Sequence, residues 1–286
     1  ITNDGNSDLQ PDFIWNKGRT HPHYHYLTDT SRGLTKYSYT NVNNAEETFT
    51  NYVTGVHSNG FTLGNGQGMN DNTNVVGGVD YVTWQWKAGG SAVSNSDGSI
   101  SSQVNVNQTA GFSIVTYTGT GSTATVGHGL GSAPDMLIFK KRSAADNWYV
   151  YHSANTSAPE TDYLVLDTSD ATTDFNIWND TAPTSSVFSI SNAGVHADGQ
   201  TMVCYAFAEK QGYSSIKSYT GNGDATNGPF IYTGFKPAWI MIKQTDGTGS
   251  WVIHDTKRGT INPIDEDLFA NLDSAESDND IEKDIL

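Results

Sequence analysis

The sequence predicts an all-β protein made of tandem antiparallel β-sandwich modules. One strand motif occurs three times along the 286 residues. Hydrophobic residues make up only 36% of the chain, while aromatic residues reach 11% and glycines number 29. Aromatic residues favour strands, and glycines favour tight turns. Several segments alternate between large apolar and small or polar residues, which is typical of strands with one buried face.

The repeated motif is an extended strand with a lysine near its end. Pro11–Arg19 returns 123 residues later as Pro134–Arg142, and a third copy follows after another 103 residues at Pro237–Lys243. An array of like modules with no shared set of chemical groups is typical of a protein that builds length or presents a surface. The repeat therefore favours a structural role over turnover of a substrate.

Other strands recur in a fixed order around this motif. The opening strand and turn at Phe112–Gly121 correspond to Tyr213–Gly223 in the next copy. A strand that follows the lysine motif is aligned at His25, Trp148 and Trp251. Polar loops with glycine or asparagine separate these strands, and they predict hairpins.

A closing strand with alternating aromatic residues ends the unit. It lies at Tyr81–Trp86 in the first copy and at Met202–Phe207 in the second. Because side chains alternate between the faces of a strand, Trp84 and Trp86 share one face, and we expect them in a core. The first copy lacks an opening strand and the third lacks a closing strand.

These alignments divide the chain into modules at residues 1–90, 111–212 and 213–286, each expected to enclose its own interior. Residues 91–110 are rich in serine, glycine and asparagine and predict a linker or a short edge strand. We expect the first module to be incomplete at its N-terminal side, the third to be incomplete at its C-terminal side, and the polypeptide to be cut from a longer one. A sandwich that lacks a strand exposes an unpaired edge, so either the native polypeptide or a neighbour would supply the strand. We favour the native polypeptide.

Short helices are predicted only at Asp265–Ala270 and near Ile281. The formal charge of −16 repels nucleic acid and anionic membranes, so neither is expected as a partner. The sequence contains no apolar run of about 18 residues, which argues against membrane insertion.

The ordered motifs resemble a repeat module of tail-fibre and other virion appendage proteins of tailed, podovirus-like phages of marine bacteria and cyanobacteria. These motifs are the lysine strand, T-x-R-G at Thr30–Gly33 and Thr256–Gly259, S-N-G-F-T-L at Ser58–Leu63, Y-V-T-W-x-W-K-A-G-G at Tyr81–Gly90, and G-F-S-I-V-T-Y-T-G-T-G at Gly111–Gly121. The middle copy departs from the pattern, because Ser153–Thr161 replaces its T-x-R-G.

This resemblance implies lectin-like jelly-roll sandwiches in a non-enzymatic structural protein of the virion, outside the host cell. It implies a tail fibre or appendage that presents a host-recognition surface, with other virion proteins as partners, a homotrimer as the assembly, a host-surface glycan as a possible ligand, and no cofactor. Two alternatives stay open: a secreted carbohydrate-binding protein, and a capsid decoration or filament subunit.

His21, His23 and His25 are the nearest match to a metal site. Alternate residues of an extended strand point the same way, so three imidazoles could converge on Zn, Ni or Cu. However, His25 is aligned with Trp148 and Trp251, which favours a core or rim position without a metal.

Carboxylates could gather calcium at Asp265–Asp273, although a solvated acidic surface explains this segment more simply. No pair of acids is marked out for glycoside hydrolysis, and we assign no catalytic residue.

Exposed aromatic rings are what a glycan-binding site would use. The candidates are Tyr24, Tyr26, Tyr37, Tyr39, Trp148, Tyr151 and Trp178.

Three further predictions are structural. Cys204 lies in an alternating run and predicts a buried, inert thiol. Arg32 and Arg258 are expected to hold turns by bonding carbonyls or the carboxylates of Asp29 and Asp255. The repeated lysines are expected to cover an apolar edge with their stems.

Overall fold

A computed structural model describes residues 1–3, 8–71, 78–191, 194–224, 227–259 and 262–285. Within these ranges the chain is all-β, and every ladder between its strands is antiparallel, which confirms the predicted fold class. Helical structure is limited to two 3₁₀ turns, at Pro159–Thr161 and Gly194–His196. No helix in the described ranges is long and apolar enough to cross a membrane. The jelly-roll topology implied by the resemblance stays a prediction.

The first module forms a five-stranded sheet and a separate hairpin. Its strands are β1 (Phe13–Gly18), β2 (Tyr26–Asp29), β3 (Lys36–Tyr39), β4 (Glu47–Thr48), β5 (Val53–His57), β6 (Gly60–Leu63) and β7 (Tyr81–Trp86). The spatial order of the sheet is β4-β3-β2-β1-β7, and β5 pairs with β6. The predicted closing strand, β7, therefore pairs with the lysine strand, β1.

The second module forms the largest sheet. Its strands are β8 (Val93–Asn95), β9 (Ser102–Asn107), β10 (Phe112–Thr118), β11 (Ala124–Gly127), β12 (Met136–Lys141), β13 (Tyr149–His152), β14 (Asp162–Val165), β15 (Thr173–Asp174), β16 (Val187–Ile190) and β17 (Thr201–Phe207). The order is β15-β14-β13-β12-β17-β10-β9-β8, with β11 and β16 paired separately. The segment 91–110 was predicted as a linker or a short edge strand. The structure has two strands there, which extend this sheet: β9 pairs with β10, and β8 forms the edge.

The third module forms a four-stranded sheet in the order β18-β19-β20-β21. Its strands are β18 (Trp239–Ile242), β19 (Val252–Asp255), β20 (Ile264–Phe269) and β21 (Ser277–Lys283). The helices predicted at Asp265–Ala270 and near Ile281 are wrong, because β20 and β21 lie there. Pairing with β19 satisfies the backbone of β20, and such tertiary pairing outweighs local helix propensity.

The main hydrophobic core is shared by all three modules. Trp15 from the first module, Ile138 and Trp148 from the second, and Trp251 and Ile253 from the third belong to one buried cluster. The expectation that each module encloses its own interior is wrong for this cluster. A four- or five-stranded sheet leaves one apolar face uncovered, and here the inner faces of the three sheets cover each other. The first and second modules add smaller clusters of their own.

Backbone hydrogen bonds join the modules in a ring. The three donors are backbone N–H groups at equivalent positions of the three modules. The three acceptors are backbone carbonyls, also at equivalent positions, and each lies in the neighbouring module. The three bonds are Asp146 to Asn43, Gly249 to Ser169 and His23 to Asp273, each at 2.9 Å. The second module donates to the first, the third to the second and the first to the third. The contact is thus head-to-tail and closes after three steps, as in a cyclic trimer.

Candidate functional site

The three histidines do not form a common site. His25 is fully buried, and its Nδ1 accepts a hydrogen bond from the Trp15 indole N–H at 2.8 Å. By contrast, His21 lies exposed at the surface. Burial lowers the pKa of His25 well below its ordinary value, so the ring is neutral. Among the residues that the structure describes, no group of three or more His, Cys, Asp or Glu side chains could hold a metal ion.

Most of the predicted glycan-binding rings lie inside the protein. Six are buried, namely Tyr26, Tyr37, Tyr39, Trp148, Tyr151 and Trp178. Only Tyr24 among the candidates is exposed, with 40% of its surface accessible. The buried rings therefore cannot stack on a sugar at the surface, and the prediction is corrected for them. For Tyr24 it stays a prediction.

Arg32 and Arg258 hold turns, as predicted. The backbone N–H of Arg32 donates to Asp29 Oδ1 at 2.8 Å, and that of Arg258 donates to Asp255 Oδ1 at 3.0 Å. Each guanidinium also bonds the same carboxylate through Nε. The aspartate and arginine of each turn are thus locked together.

The same arginines take part in two joints between modules. Glu46 accepts from Arg32 of its own module at 2.9 Å and from Arg142 of the second module at 2.8 and 2.9 Å. Burial opposes ionisation of Glu46, but bonds from Arg142 and the charge of Arg32 hold its pKa below the ordinary value. The third module repeats the arrangement, because Glu276 accepts from Arg258 and from Arg19 of the first module, each at 2.7 Å.

The joint between the second and third modules is neutral. Asn155 and Thr172 occupy the positions of Arg32 and Glu46, and the Thr172 hydroxyl donates to Asn155 Oδ1 at 2.8 Å. Thr245 takes the place of Arg142 and accepts the Thr172 backbone N–H at 2.9 Å. The sequence showed that the middle copy lacks T-x-R-G, but it did not predict that a neutral hydrogen-bonded contact takes the place of the ionic one.

The repeated lysines also belong to the ring. Lys17, Lys140 and Lys243 donate from Nζ to the carbonyls of Asp273, Asn43 and Ser169 in the neighbouring modules, at 3.2, 3.0 and 3.3 Å. Burial lowers the pKa of Lys17 and of Lys140 to about 8. The sequence predicted only that the stems of these lysines cover an apolar edge. In the structure Lys17 and Lys140 are buried together with their ammonium groups.

The acidic segment 265–273 is not uniformly solvated. Asp267 is buried, and its Oδ1 lies 3.0 Å from His254 Nε2 and 3.8 Å from Lys283 Nζ. Burial lowers the pKa of His254 to about 4.

Cys204 is buried as predicted, and burial raises the pKa of its thiol well above the ordinary value.

An open slot lies beside the third module. Strand β18 is the edge of its sheet, whereas the equivalent strands β1 and β12 each lie between two neighbours. All six residues of β1 are buried, but all four residues of β18 are only partly buried. The difference in burial follows from the strand that covers β1 and β12 on one side.

A cavity of about 2220 Å³ occupies this place. Trp239 and Met241 of β18 line it together with core residues of the other modules and with much of the segment 213–235. That segment carries exposed aromatic side chains, namely Tyr213 (57% exposed), Tyr219 (49%), Phe230 (77%) and Tyr232 (72%). Exposed aromatic side chains beside an open cavity are typical of an interaction surface.

In the other two modules the corresponding place is filled by the closing strand. Trp84 of β7 lies opposite Trp15, and its indole N–H donates to Asp255 Oδ2 of the third module at 3.0 Å. Tyr205 of β17 lies opposite Ile138, and its hydroxyl donates to Asp29 Oδ2 of the first module at 2.8 Å. The closing strands thus fill the shared core and tie each module to its neighbour.

The sequence model of one family, described as Domain of unknown function (DUF7483), matches residues 4–286. No curated protein and no solved structure matches the chain significantly.

Proposed function

We propose that this chain, which belongs to the DUF7483 family, is a non-enzymatic structural protein of a virion. In this proposal it is part of a tail fibre or another appendage of a tailed phage and presents a host-recognition surface. The observation that carries the structural role is the closed ring of contacts among the three modules. Each module is held by its neighbour through a backbone bond, a lysine that bonds a carbonyl of that neighbour, and a shared core.

The ring uses the polar groups that could otherwise perform chemistry. Arg32 and Glu46 are engaged in a joint between modules, and Lys17 and Lys140 bond carbonyls of neighbouring modules. Such a body resists separation of its modules, which suits a part that transmits force between a particle and a cell. The resemblance of the ordered motifs to virion appendage proteins supports the location, other virion proteins as partners, and assembly as a homotrimer.

Immunogold electron microscopy tests the proposal. Antibodies raised against the purified chain should label the tails or other appendages of particles released from a lysate in which the gene is expressed. Pre-immune serum provides the control. Labelling of the supernatant protein alone, with unlabelled particles, would contradict a virion location, and release of oligosaccharides from host polysaccharide by the purified chain would contradict a non-enzymatic role.

Carbohydrate binding is the second candidate function. The observation in its favour is the exposure of three aromatic rings that line the slot, namely Tyr213, Phe230 and Tyr232. A glycan array with and without calcium tests it, and a Tyr232→Ala variant should lose the signal while Tyr24→Ala keeps it. A third candidate, a capsid decoration or filament subunit, is favoured by the unpaired edge of β18, which a neighbour in an assembly could cover.

A further inference from the structure

Three side chains with complementary chemistry meet on neighbouring strands of the third module. The sheet order β18-β19-β20-β21 places β20 between β19 and β21. His254 lies on β19, Asp267 on β20 and Lys283 on β21. The exposed fractions of these side chains are 0%, 2% and 22%. The cluster thus brings an imidazole, a carboxyl group and a primary amine together, largely shielded from solvent.

The contacts converge on one oxygen of Asp267. Its Oδ1 lies 3.0 Å from His254 Nε2 and 3.8 Å from Lys283 Nζ. In the ladder, Lys283 pairs with Ile264, and the register shifts between Ile264 and Glu266, so the lysine side chain spans a bulge to reach the carboxyl group. A nucleophile held against its target in this way has a high effective concentration.

Burial favours the neutral forms that amide formation requires. An amine attacks a carboxyl group as the free base, and desolvation of a lysine favours that form. Burial lowers the pKa of Lys283, although the charge of Asp267 acts in the opposite direction. Transfer of one proton from the ammonium to the carboxylate turns the ion pair into an amine and an acid, which leaves no charge in the interior. The neutral imidazole of His254 can carry protons between them.

Another lysine–aspartate pair of the chain lacks these features. Lys141 Nζ contacts Asp146 Oδ2 at a place where the two side chains are 13% and 19% exposed. Asp146 also accepts a hydrogen bond from the Tyr149 hydroxyl at 3.2 Å, where Asp267 has an imidazole. A phenol is a much weaker base than an imidazole. We therefore expect Lys141 and Asp146 to stay an ion pair, and they provide a control.

We propose that Lys283 and Asp267 become joined by an amide bond, which cross-links β21 to β20, with His254 as the catalytic proton carrier. The Nζ lone pair forms a bond to Cγ of the protonated carboxyl group, and the electron pair of the C=O bond moves onto Oδ2. His254 Nε2 removes a proton from Nζ and delivers it to Oδ1. The Cγ–Oδ1 bond then breaks, Oδ2 re-forms its double bond and one water leaves. The reaction requires no oxidant and no other reactant.

The bond would change how the third sheet comes apart. Among the described strands, β21 pairs only with β20. With the bond in place, β21 stays attached to β20 when their ladder opens. The closed covalent loop also restrains the unfolded chain, as a disulfide does. The inference does not depend on a location in a virion.

Intact mass spectrometry of the denatured wild-type chain tests the proposal. The measured mass should lie below the mass of the sequence by one water. Digestion with chymotrypsin locates the loss, because cleavage after Phe269 falls between Asp267 and Lys283. The peptides from the two sides should remain joined, with a mass one water below their sum.

Three variants assign the roles of the residues. Lys283→Arg keeps the positive charge but removes the amine, and it should have its full sequence mass. Lys141→Arg makes the same change at the ion pair with Asp146 and should keep the loss of water. His254→Gln should form the bond more slowly, so that a mixture of two masses shifts toward the lower mass with time. Circular dichroism checks that all three variants fold.

Several results would overturn the proposal. The first is a folded wild-type chain at its full sequence mass. A loss of water retained in Lys283→Arg would place the loss elsewhere, because an aspartate before glycine, such as Asp246, also loses water when it forms a succinimide ring. Joined peptides that form as fast in His254→Gln as in the wild type would exclude the imidazole from the reaction.

Discussion

The indole N–H of Trp148 donates to the backbone carbonyl of Tyr39 at 2.7 Å, across 109 residues and between two modules. Trp251 repeats this bond to Val165 of the second module at 2.8 Å. At the third position the ring has His25, which faces the backbone of Phe269. His25 Nε2 forms no hydrogen bond of good geometry there, while its Nδ1 accepts the indole N–H of Trp15 within the same module.

Replacement of Trp148 should weaken the whole ring. Trp148→Phe leaves the buried Tyr39 carbonyl unpaired and opens a small void, and we expect a loss of about 2–4 kcal/mol in the free energy of unfolding. Urea denaturation followed by circular dichroism and by fluorescence should show one transition shifted to lower urea. Tyr219→Phe, at an exposed ring, should stay within about 0.5 kcal/mol of the wild type. Two separate transitions, of which only one moves, would show that the modules unfold independently.

The buried lysines should contribute stability that rises with pH between 8 and 10. The pKa of Lys17 is lowered to about 8 in the folded chain, whereas an unfolded lysine has a pKa of about 10.4. Between these values the unfolded chain binds more protons, so raising the pH favours the folded chain, by about 1–2 kcal/mol per lysine. The contribution of each lysine to stability is therefore fully present above the pKa of lysine in the unfolded chain, and it is lost as the pH falls to the lysine's pKa in the folded chain.

Lys17→Met isolates the contribution of this group. The free energy of unfolding of the variant should rise less between pH 8 and 10 than that of the wild type, when both are measured by urea denaturation at each pH. Lys36→Met is the control, because Lys36 lies on β3 and bonds Thr48 at the surface. Parallel pH curves for Lys17→Met and the wild type would show that Lys17 keeps its proton on unfolding in this range.

We expect that the charged residues of the joint around Glu46 can be replaced with a smaller loss of stability when they are all changed together than when Glu46 is changed alone. Glu46→Thr alone leaves the buried Arg32 without one of its partners, and we expect a loss of about 3–5 kcal/mol. Transfer of the neutral joint from the second module should cost less, because no buried guanidinium is then left without its carboxylate partner. The four changes of that transfer are Asp29→His, Arg32→Asn, Glu46→Thr and Arg142→Thr. Thermal melting compares the two proteins, and a fourfold variant less stable than Glu46→Thr would contradict the equivalence of the joints.

Gly119 and Gly221 occupy the same turn position in the second and third modules. A Cβ on Gly119 would lie 2.3 Å from the Ala197 carbonyl oxygen, whereas a Cβ on Gly221 would meet nothing within 4 Å. Gly119→Ala should therefore destabilise the protein by about 1–3 kcal/mol, and Gly221→Ala should change its stability by less than about 0.5 kcal/mol. Melting temperatures of the two variants measure the contrast. Equal losses would mean that the two turns are packed alike.

Much of the fold could be predicted from local signals. The repeat at Lys17, Lys140 and Lys243, the alternation in β7 and β17, and the aspartate–arginine turns depend on residues close in sequence, and the structure contains each of them. The predicted helices at Asp265–Ala270 and near Ile281 failed because the pairing of β20 with β19 and with β21 outweighs local helix propensity. The candidate rings Tyr26, Trp148, Tyr151 and Trp178 failed as surface sites because burial depends on which sheet packs on which.

The sequence by itself determined that this chain is antiparallel and modular, because strand alternation, turn residues and repeat spacing are properties of neighbouring residues. Only the tertiary structure decided that the modules close into a ring around one core. That outcome depends on contacts such as Trp148 with Tyr39 and Glu46 with Arg142, which join positions about a hundred residues apart. The tertiary structure also decided the place of each strand in its sheet: among the described residues β18 has one neighbouring strand, whereas β1 and β12 each have two.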